Sequence, residues 1–167
     1  MPRTAAALKS RSKPVPLAPV ERDTVLKIFL GAVDRYGRAD ALQHKAGGQW
    51  RSISHAEMEA RVAALAAGLR AAGVGAGARV AILSENRPEW AITDYAVLGI
   101  HAIDVPLYPT LPANQLEYIL RDAGAAAVWV STVAQLAKIF SYTRGTATVT
   151  VGRTSTRLSA TLSIDSA

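Results

Sequence analysis

The sequence contains no cysteine. This absence excludes a disulfide framework and a thiolate metal site, and it fits a reducing compartment. Long apolar runs are also lacking: no stretch approaches the ~20 residues that a membrane-spanning helix needs, and no signal-peptide core follows the N-terminus. We therefore expect a cytoplasmic protein that is either soluble or bound peripherally to a membrane.

Acidic residues are scarce at both ends of the chain. Residues 1–22 contain five Lys or Arg, four prolines and a single acid, Glu21, whereas residues 23–139 carry eleven charges of each sign. A nucleic-acid surface would gather its basic residues on the fold, so we expect no nucleic-acid partner. The composition of residues 1–22 predicts a disordered basic extension, with a transit peptide as the alternative.

The central stretch, residues 79–130, alternates short β-branched runs with segments of helix length. The runs cover residues 80–83, 103–105 and 126–130. Each connection takes about twenty residues, which suits a helical crossover between parallel strands. We predict a parallel β-α-β-α-β core. Its first helix, over 86–99 with Asn86 as a cap, is apolar around most of its circumference and should be buried, and its second, over 112–122, is amphipathic.

The segment before this core predicts three further elements. Apolar residues at helical spacing predict an amphipathic helix over 24–36, and a capping-box pattern opens a second helix over 54–72. Between them, strands over 41–45 and 49–53 flank Gly47-Gly48, a pair that suits a tight hairpin turn. The predicted fold class is therefore α/β, with the parallel core, flanking helices and a small hairpin.

No residue of this chain is assigned a catalytic, cofactor-binding or metal-binding role. The glycines of residues 73–77 follow a helix and precede a strand, which is typical of a helix cap rather than of a phosphate loop. His44 and His55 lack a second ligand at useful spacing. The proline-stiffened loop over 104–112 lies at the carboxyl end of a predicted parallel strand, where α/β folds place ligand sites. It offers no base beside a nucleophile, so we interpret it as a structural crossover.

Several segments, in order and spacing, are nevertheless specific enough to indicate a family. They are residues 73–74, 79–83, the Ser-Glu-Asn-Arg-Pro-Glu-Trp run of 84–90, the Leu-Tyr-Pro-Thr-Leu-Pro run of 107–112, and 118–120. Over roughly residues 24–139, the chain resembles the N-terminal part of AMP-forming acyl-CoA synthetases, of the long-chain fatty acid–CoA ligase type. The resemblance implies part of the large N-terminal domain of an adenylate-forming enzyme. It also implies ATP, Mg²⁺, coenzyme A and a fatty acid as the cofactors and partners of the whole enzyme.

The family's catalytic segments lie beyond the matching region. Residues 142–148 echo the opening of its phosphate loop at Tyr142, Thr143, Gly145 and Thr146, but they lack the Pro-Lys that ends it. The resemblance therefore implies a truncated N-terminal piece that is inactive alone. The alternative is a non-catalytic interaction module that uses an open sheet edge and apolar faces.

The tail, residues 140–167, differs in composition from everything before it. Twelve of its twenty-eight residues are Ser or Thr. We predict poor order there, with at most one strand over 146–151, and we favour a frameshift as the origin, with truncation or natural divergence as alternatives. The predicted organisation is an extension over 1–22, a partial synthetase domain over 23–139 and this tail. With three central strands and open edges, the isolated chain should be marginally stable.

Overall fold

The computed structural model describes residues 24–140, 148–153 and 156–161. Its five helices in these ranges are α1 Val25–Tyr36, α2 His55–Ala71, α3 Pro88–Gly99, α4 Ala113–Asp122 and α5 Val133–Phe140. Its seven strands there are β1 Leu42–Ala46, β2 Gln49–Ile53, β3 Arg79–Leu83, β4 Ile103–Leu107, β5 Ala127–Val130, β6 Thr148–Arg153 and β7 Thr156–Thr161. Each element predicted between residues 24 and 130 is present, which confirms the α/β class. No helix within the described part of the chain is long and apolar enough to cross a membrane.

The main sheet has the strand order β4-β3-β5-β6-β7, and β1 with β2 forms a separate antiparallel hairpin. Strand β3 pairs in parallel with both β4 and β5, so Ile82 lies between Pro106 and Trp129. This arrangement is the predicted parallel core. Because β3 has a strand on each side and helices on both faces, its last four residues are at most 1% exposed.

Alternate residues of β3 face two separate apolar clusters. Val80 packs with residues of α1, α2 and α3 in one cluster, whereas Ala81 and Leu83 pack with residues of β5, α4 and α5 in the other. The chain therefore folds as three layers, with helices α1 to α3 on one face of the sheet and α4 and α5 on the other.

The N-termini of α1 and α2 follow local sequence signals. The Thr24 hydroxyl accepts a hydrogen bond from the Lys27 N–H at 3.3 Å, and the Ser54 hydroxyl accepts one from the Glu57 N–H at 3.1 Å. The prediction that Asn86 caps α3 is wrong. The helix begins at Pro88, so Arg87 occupies the N-cap position, and it makes no side-chain cap bond.

The glycine segment after α2 ends that helix and turns the chain into β3, as predicted. Gly73 adopts a left-handed φ of 86°, and its N–H donates to the Arg70 carbonyl at 3.0 Å. Gly77, at φ 74°, donates to the carbonyl of His101 at 2.8 Å. These bonds satisfy carbonyls at the C-terminal end of α2 and in the turn before β4.

Strand β4 is one edge of the main sheet, and its outward side carries few hydrogen-bond donors. The Ile103 N–H donates to Ala78 on the β3 side at 2.8 Å, so the backbone of Asp104 and Pro106 points away from β3. Proline has no N–H. Asp104 is therefore the single outward donor within β4, which makes this edge a poor template for another strand.

The region after β5 departs most from the sequence-based expectation. Helix α5 follows β5 directly and was not predicted, and the tail contains two strands where at most one was expected. Strand β6 continues the sheet in parallel beside β5, and β7 returns antiparallel to β6. Both segments are joined to the sheet by backbone pairing. The boundaries at 22 and 139 and the frameshift origin stay predictions.

Candidate functional site

The carboxyl ends of β3, β4 and β5 meet at one edge of the sheet, because the three strands are parallel. Three short polar segments follow them: Ser84-Glu85 after β3, the loop over 108–112 after β4, and Ser131-Thr132 after β5. Folds of this class place ligand sites at such strand ends. We therefore take this edge as the candidate site.

Glu85 is the hydrogen-bond acceptor at the centre of this edge. One carboxylate oxygen accepts from the hydroxyl of Ser131, and the other accepts from the Gln135 side-chain amide at 3.0 Å. The hydrogen bond from Ser131, followed by that from Gln135, holds the pKa of Glu85 below its ordinary value, against the opposing effect of burial. Glu85 therefore stays ionised and ties the ends of β3 and β5 to α5.

Helix α5 binds the loop after β4 through two side chains one turn apart. The Gln135 amide donates to the carbonyl of Pro109 at 3.1 Å. The Lys138 ammonium donates to the same carbonyl at 2.6 Å and to the carbonyl of Leu111 at 3.2 Å. The position of α5 itself follows from Thr132, whose hydroxyl accepts from the Gln135 N–H at 3.2 Å as a helix cap.

A cavity of about 560 Å³ opens beside these strand ends. We call it the carboxyl-end cleft; its lining is mostly apolar and comprises Ser84, Asn86, Trp90, Pro106, Leu107, Tyr108 and Pro109. Tyr108 is 77% exposed at the rim. The volume lies in the range of small-molecule pockets, and aromatic walls with a few polar groups suit an apolar or planar ligand.

A second cavity, of about 750 Å³, lies between the hairpin and the start of α3. Its lining combines cationic, aromatic and acidic side chains, among them Lys45, Trp50, Arg87, Glu89 and Trp90. The Lys45 ammonium sits over the ring of Trp50, 5.4 Å from its centroid. Arg87 and Glu89 pair at 2.9 Å, so these charges already satisfy each other.

The loop that the sequence placed over 104–112 is shorter in the structure and starts at Tyr108. Tyr108 reaches the carboxyl-end cleft and Thr110 is exposed, whereas Asp104 lies near the opposite end of β4. Asp104 instead acts on the carboxyl group of Asp94 in α3. Burial, followed by the charge of Asp104, raises the pKa of Asp94 to about 6.

Of the three histidines, the sequence singled out His44, which lies in β1, and His55, which begins α2. The Nδ1 atom of His55 accepts from the Arg38 N–H at 3.2 Å. His44 lines the hairpin cavity, and its Nδ1 is buried without a hydrogen-bond partner in the described part of the chain. Within residues 24–140 and the two tail strands, no group of three or more His, Cys, Asp or Glu could hold a metal ion. The four residues that resemble the start of the phosphate loop lie outside the described residues: Tyr142, Thr143, Gly145 and Thr146. Thr148 begins β6.

Sequence reasoning missed the four residues that define the candidate site: Glu85, Ser131, Gln135 and Lys138. The first and last of them, Glu85 and Lys138, lie 138 − 85 = 53 positions apart, and no short motif links all four. The available signal was local: Thr132 precedes apolar residues at helical spacing, which predicts a helix whose Gln135 and Lys138 share one face.

The family model described as "AMP-binding enzyme" matches residues 29–166, which covers most of the chain and extends into the tail. The chain belongs to the AMP-binding enzyme family. The match passes position 139, where the resemblance drawn from the sequence ended, and it includes both tail strands.

Two curated relatives carry ligase or synthase names. The long-chain-fatty-acid–CoA ligase FadD15 of Mycobacterium bovis is 35% identical over 129 residues, which cover 75% of this chain and 21% of that protein. A feruloyl-CoA synthase of an Amycolatopsis species is 43% identical over 88 residues, or 53% of this chain and 17% of that protein. The chain therefore spans about a fifth of the length of the curated relatives it matches.

Solved structures support the fold. The crystal structure of IdnL1 aligns with a TM-score of 0.70 and 17% identity, covering 87% of this chain and 29% of that one. At this identity the similarity establishes the α/β architecture alone, and nothing about the ligand.

Proposed function

We propose that this chain is the N-terminal part of an AMP-forming long-chain fatty acid–CoA ligase. In the whole enzyme, a fatty acid carboxylate attacks the α-phosphorus of ATP and releases pyrophosphate. The thiol of coenzyme A then displaces AMP from the acyl-adenylate to form the thioester. The observation that carries the proposal is the family match along residues 29–166 together with 35% identity to a long-chain-fatty-acid–CoA ligase over 75% of the chain.

The residues at the strand ends do not fit a site for Mg²⁺ or ATP phosphates. Both carboxylate oxygens of Glu85 accept hydrogen bonds from protein groups. The Lys138 ammonium is bound to two carbonyl groups. Both side chains would have to share or give up these contacts to meet the charge that develops during phosphoryl chemistry. We propose that the part of the chain described here shapes and supports the domain and does not adenylate a fatty acid alone.

A pyrophosphate-release assay tests the second half of this proposal. We expect background rates when the purified 167-residue chain is supplied with ATP, Mg²⁺, palmitate and coenzyme A. Release above background that is lost in the double variant Thr143→Ala/Thr146→Ala would contradict us, because it would make residues 142–148 a working phosphate loop.

A chimera tests the first half. Residues 24–139 of this chain would replace the segment of the M. bovis ligase FadD15 that aligns with them, leaving the rest of that protein unchanged. We expect the chimera to form palmitoyl-CoA faster than feruloyl-CoA. A soluble, folded chimera with no ligase activity would argue against this family role. Preference for ferulate would favour an aryl substrate instead. That is the main alternative, because the chain is 43% identical over 88 residues to a feruloyl-CoA synthase.

The alternative function, an interaction module that recruits a partner strand, receives little support at the β4 edge. Asp104 offers the single outward N–H there, since Pro106 has none. Strand addition gains its affinity from a row of main-chain hydrogen bonds, which this edge does not supply.

A further inference from the structure

We propose that Gln135 and Lys138 are positioning residues: together they hold the loop after β4 in the conformation that makes Tyr108 and Pro109 a wall of the carboxyl-end cleft. The importance of this wall for catalysis rests on the proposed function. The dependence of the loop on the two side chains does not rest on it and can be measured in the chain itself.

The contacts are directed at the loop backbone rather than at its side chains. Gln135 and Lys138 converge on the carbonyl oxygen of Pro109, at 3.1 and 2.6 Å, and Lys138 also reaches that of Leu111. Hydrogen bonds to main-chain carbonyls fix the path of the loop whatever side chains it carries. The two prolines that flank Thr110 and Leu111, Pro109 and Pro112, limit the conformations left to it.

Gln135 also couples the loop to the rest of the edge. It is 7% exposed, and the same amide nitrogen that binds Pro109 donates to Glu85, whose other oxygen accepts from Ser131. Each of the three parallel strands thus contributes one group to a single network: Glu85 after β3, Pro109 after β4 and Ser131 after β5. A displacement of any one strand end would break a bond to Glu85 or Gln135.

A purely stabilising role does not account for Gln135. Its Oε1 oxygen is buried and has no hydrogen-bond partner among the residues that the structure describes. A buried acceptor without a partner is unfavourable, and an apolar side chain of the same length would avoid that cost. A glutamine at this position makes sense because its two donated bonds maintain the geometry of the loop, and not stability alone.

Amide hydrogen exchange read by NMR tests the proposal in the intact 167-residue chain. The reporter is the N–H of Leu111, which donates to the Tyr108 carbonyl at 3.1 Å inside the loop, and the reference is the N–H of Leu116 in α4. We expect Gln135→Met and Lys138→Met each to speed exchange at Leu111 roughly tenfold, with exchange at Leu116 unchanged. Lys138→Arg keeps a cationic donor and should restore protection.

Gln43→Met is the matched control, because Gln43 is an exposed glutamine of the hairpin that bonds only Ser52 among the hydrogen bonds of the described residues. This control variant should leave amide exchange at Leu111 unchanged.

Unchanged exchange at Leu111 in both methionine variants would overturn the proposal. So would equal acceleration at Leu111 and Leu116, since that pattern means global loosening. If Gln135→Met does not fold, the difference in Leu111 exchange between Lys138→Met and Lys138→Arg tests the proposal by itself. A failed ligase assay would leave this readout untouched.

Discussion

The substitution Asp104→Asn should stabilise the chain, and it should do so only above a defined pH. Asp94 of α3 and Asp104 of β4 are half-buried, and Asp104 acts on the carboxyl group of Asp94. Burial, then the charge of Asp104, raises the pKa of Asp94 from its ordinary 3.8 to about 6. The folded state therefore binds the Asp94 proton more tightly than the unfolded state. The stability that this proton contributes is fully present below about pH 4, and it is lost as the pH rises through 6.

The size of the effect follows from this difference. The difference between a pKa of about 6 in the folded state and the ordinary 3.8 corresponds to a change of roughly 3 kcal/mol at most in the free energy of unfolding. Solvent screening at a half-buried pair reduces this to on the order of 1 kcal/mol. Asp104→Asn removes the neighbouring charge and leaves burial, the larger cause, in place. We therefore expect a gain of about 0.5 kcal/mol in the free energy of unfolding near pH 7.5.

Urea unfolding of the wild-type and variant chains between pH 4.5 and 8 measures the difference. The gain should be absent at pH 4.5, where Asp94 is protonated in the folded state, and complete by pH 7.5. Asp34→Asn, which removes an exposed acid from α1, controls for the change in net charge. A gain that is independent of pH, or a loss of stability at pH 7.5, would refute the reasoning.

Three further predictions concern stability and order. Ser54→Ala removes the acceptor for the Glu57 N–H at the start of α2 and should cost about 1 kcal/mol in a urea titration. Leu116→Ala truncates a side chain with no exposed surface, which costs about 2–5 kcal/mol; if the chain is as marginally stable as predicted, this loss should abolish the cooperative transition. Limited proteolysis followed by mass spectrometry should remove residues 1–22 first, for their composition, and then cut within 140–167, because β7 pairs only with β6. A tail as resistant as β3 would count against that order.

Much of the fold could be read from the sequence because the signals are local or periodic. Val80 to Leu83 form an apolar β-branched run bounded by a glycine turn, and Ser54 with Glu57 forms a capping pattern. Such features bias the backbone of a few neighbouring residues whatever the rest of the chain does. The family resemblance belongs to the same class of information, since it depends on the order and spacing of short segments.

The tertiary structure decided the features that depend on contacts between distant residues. Glu85 and Gln135 lie fifty positions apart, and only the parallel alignment of β3 and β5 brings them within 3.0 Å. The same holds for the Asp94 and Asp104 pair, where the packing of α3 against β4 sets the shared environment of two ordinary acids. The pairing of β6 is a third case: the sequence allowed one strand over 146–151, but only its backbone pairing with β5 places that strand in the main sheet. Backbone pairing and buried polar contacts are non-local, so no pattern within one segment predicts them.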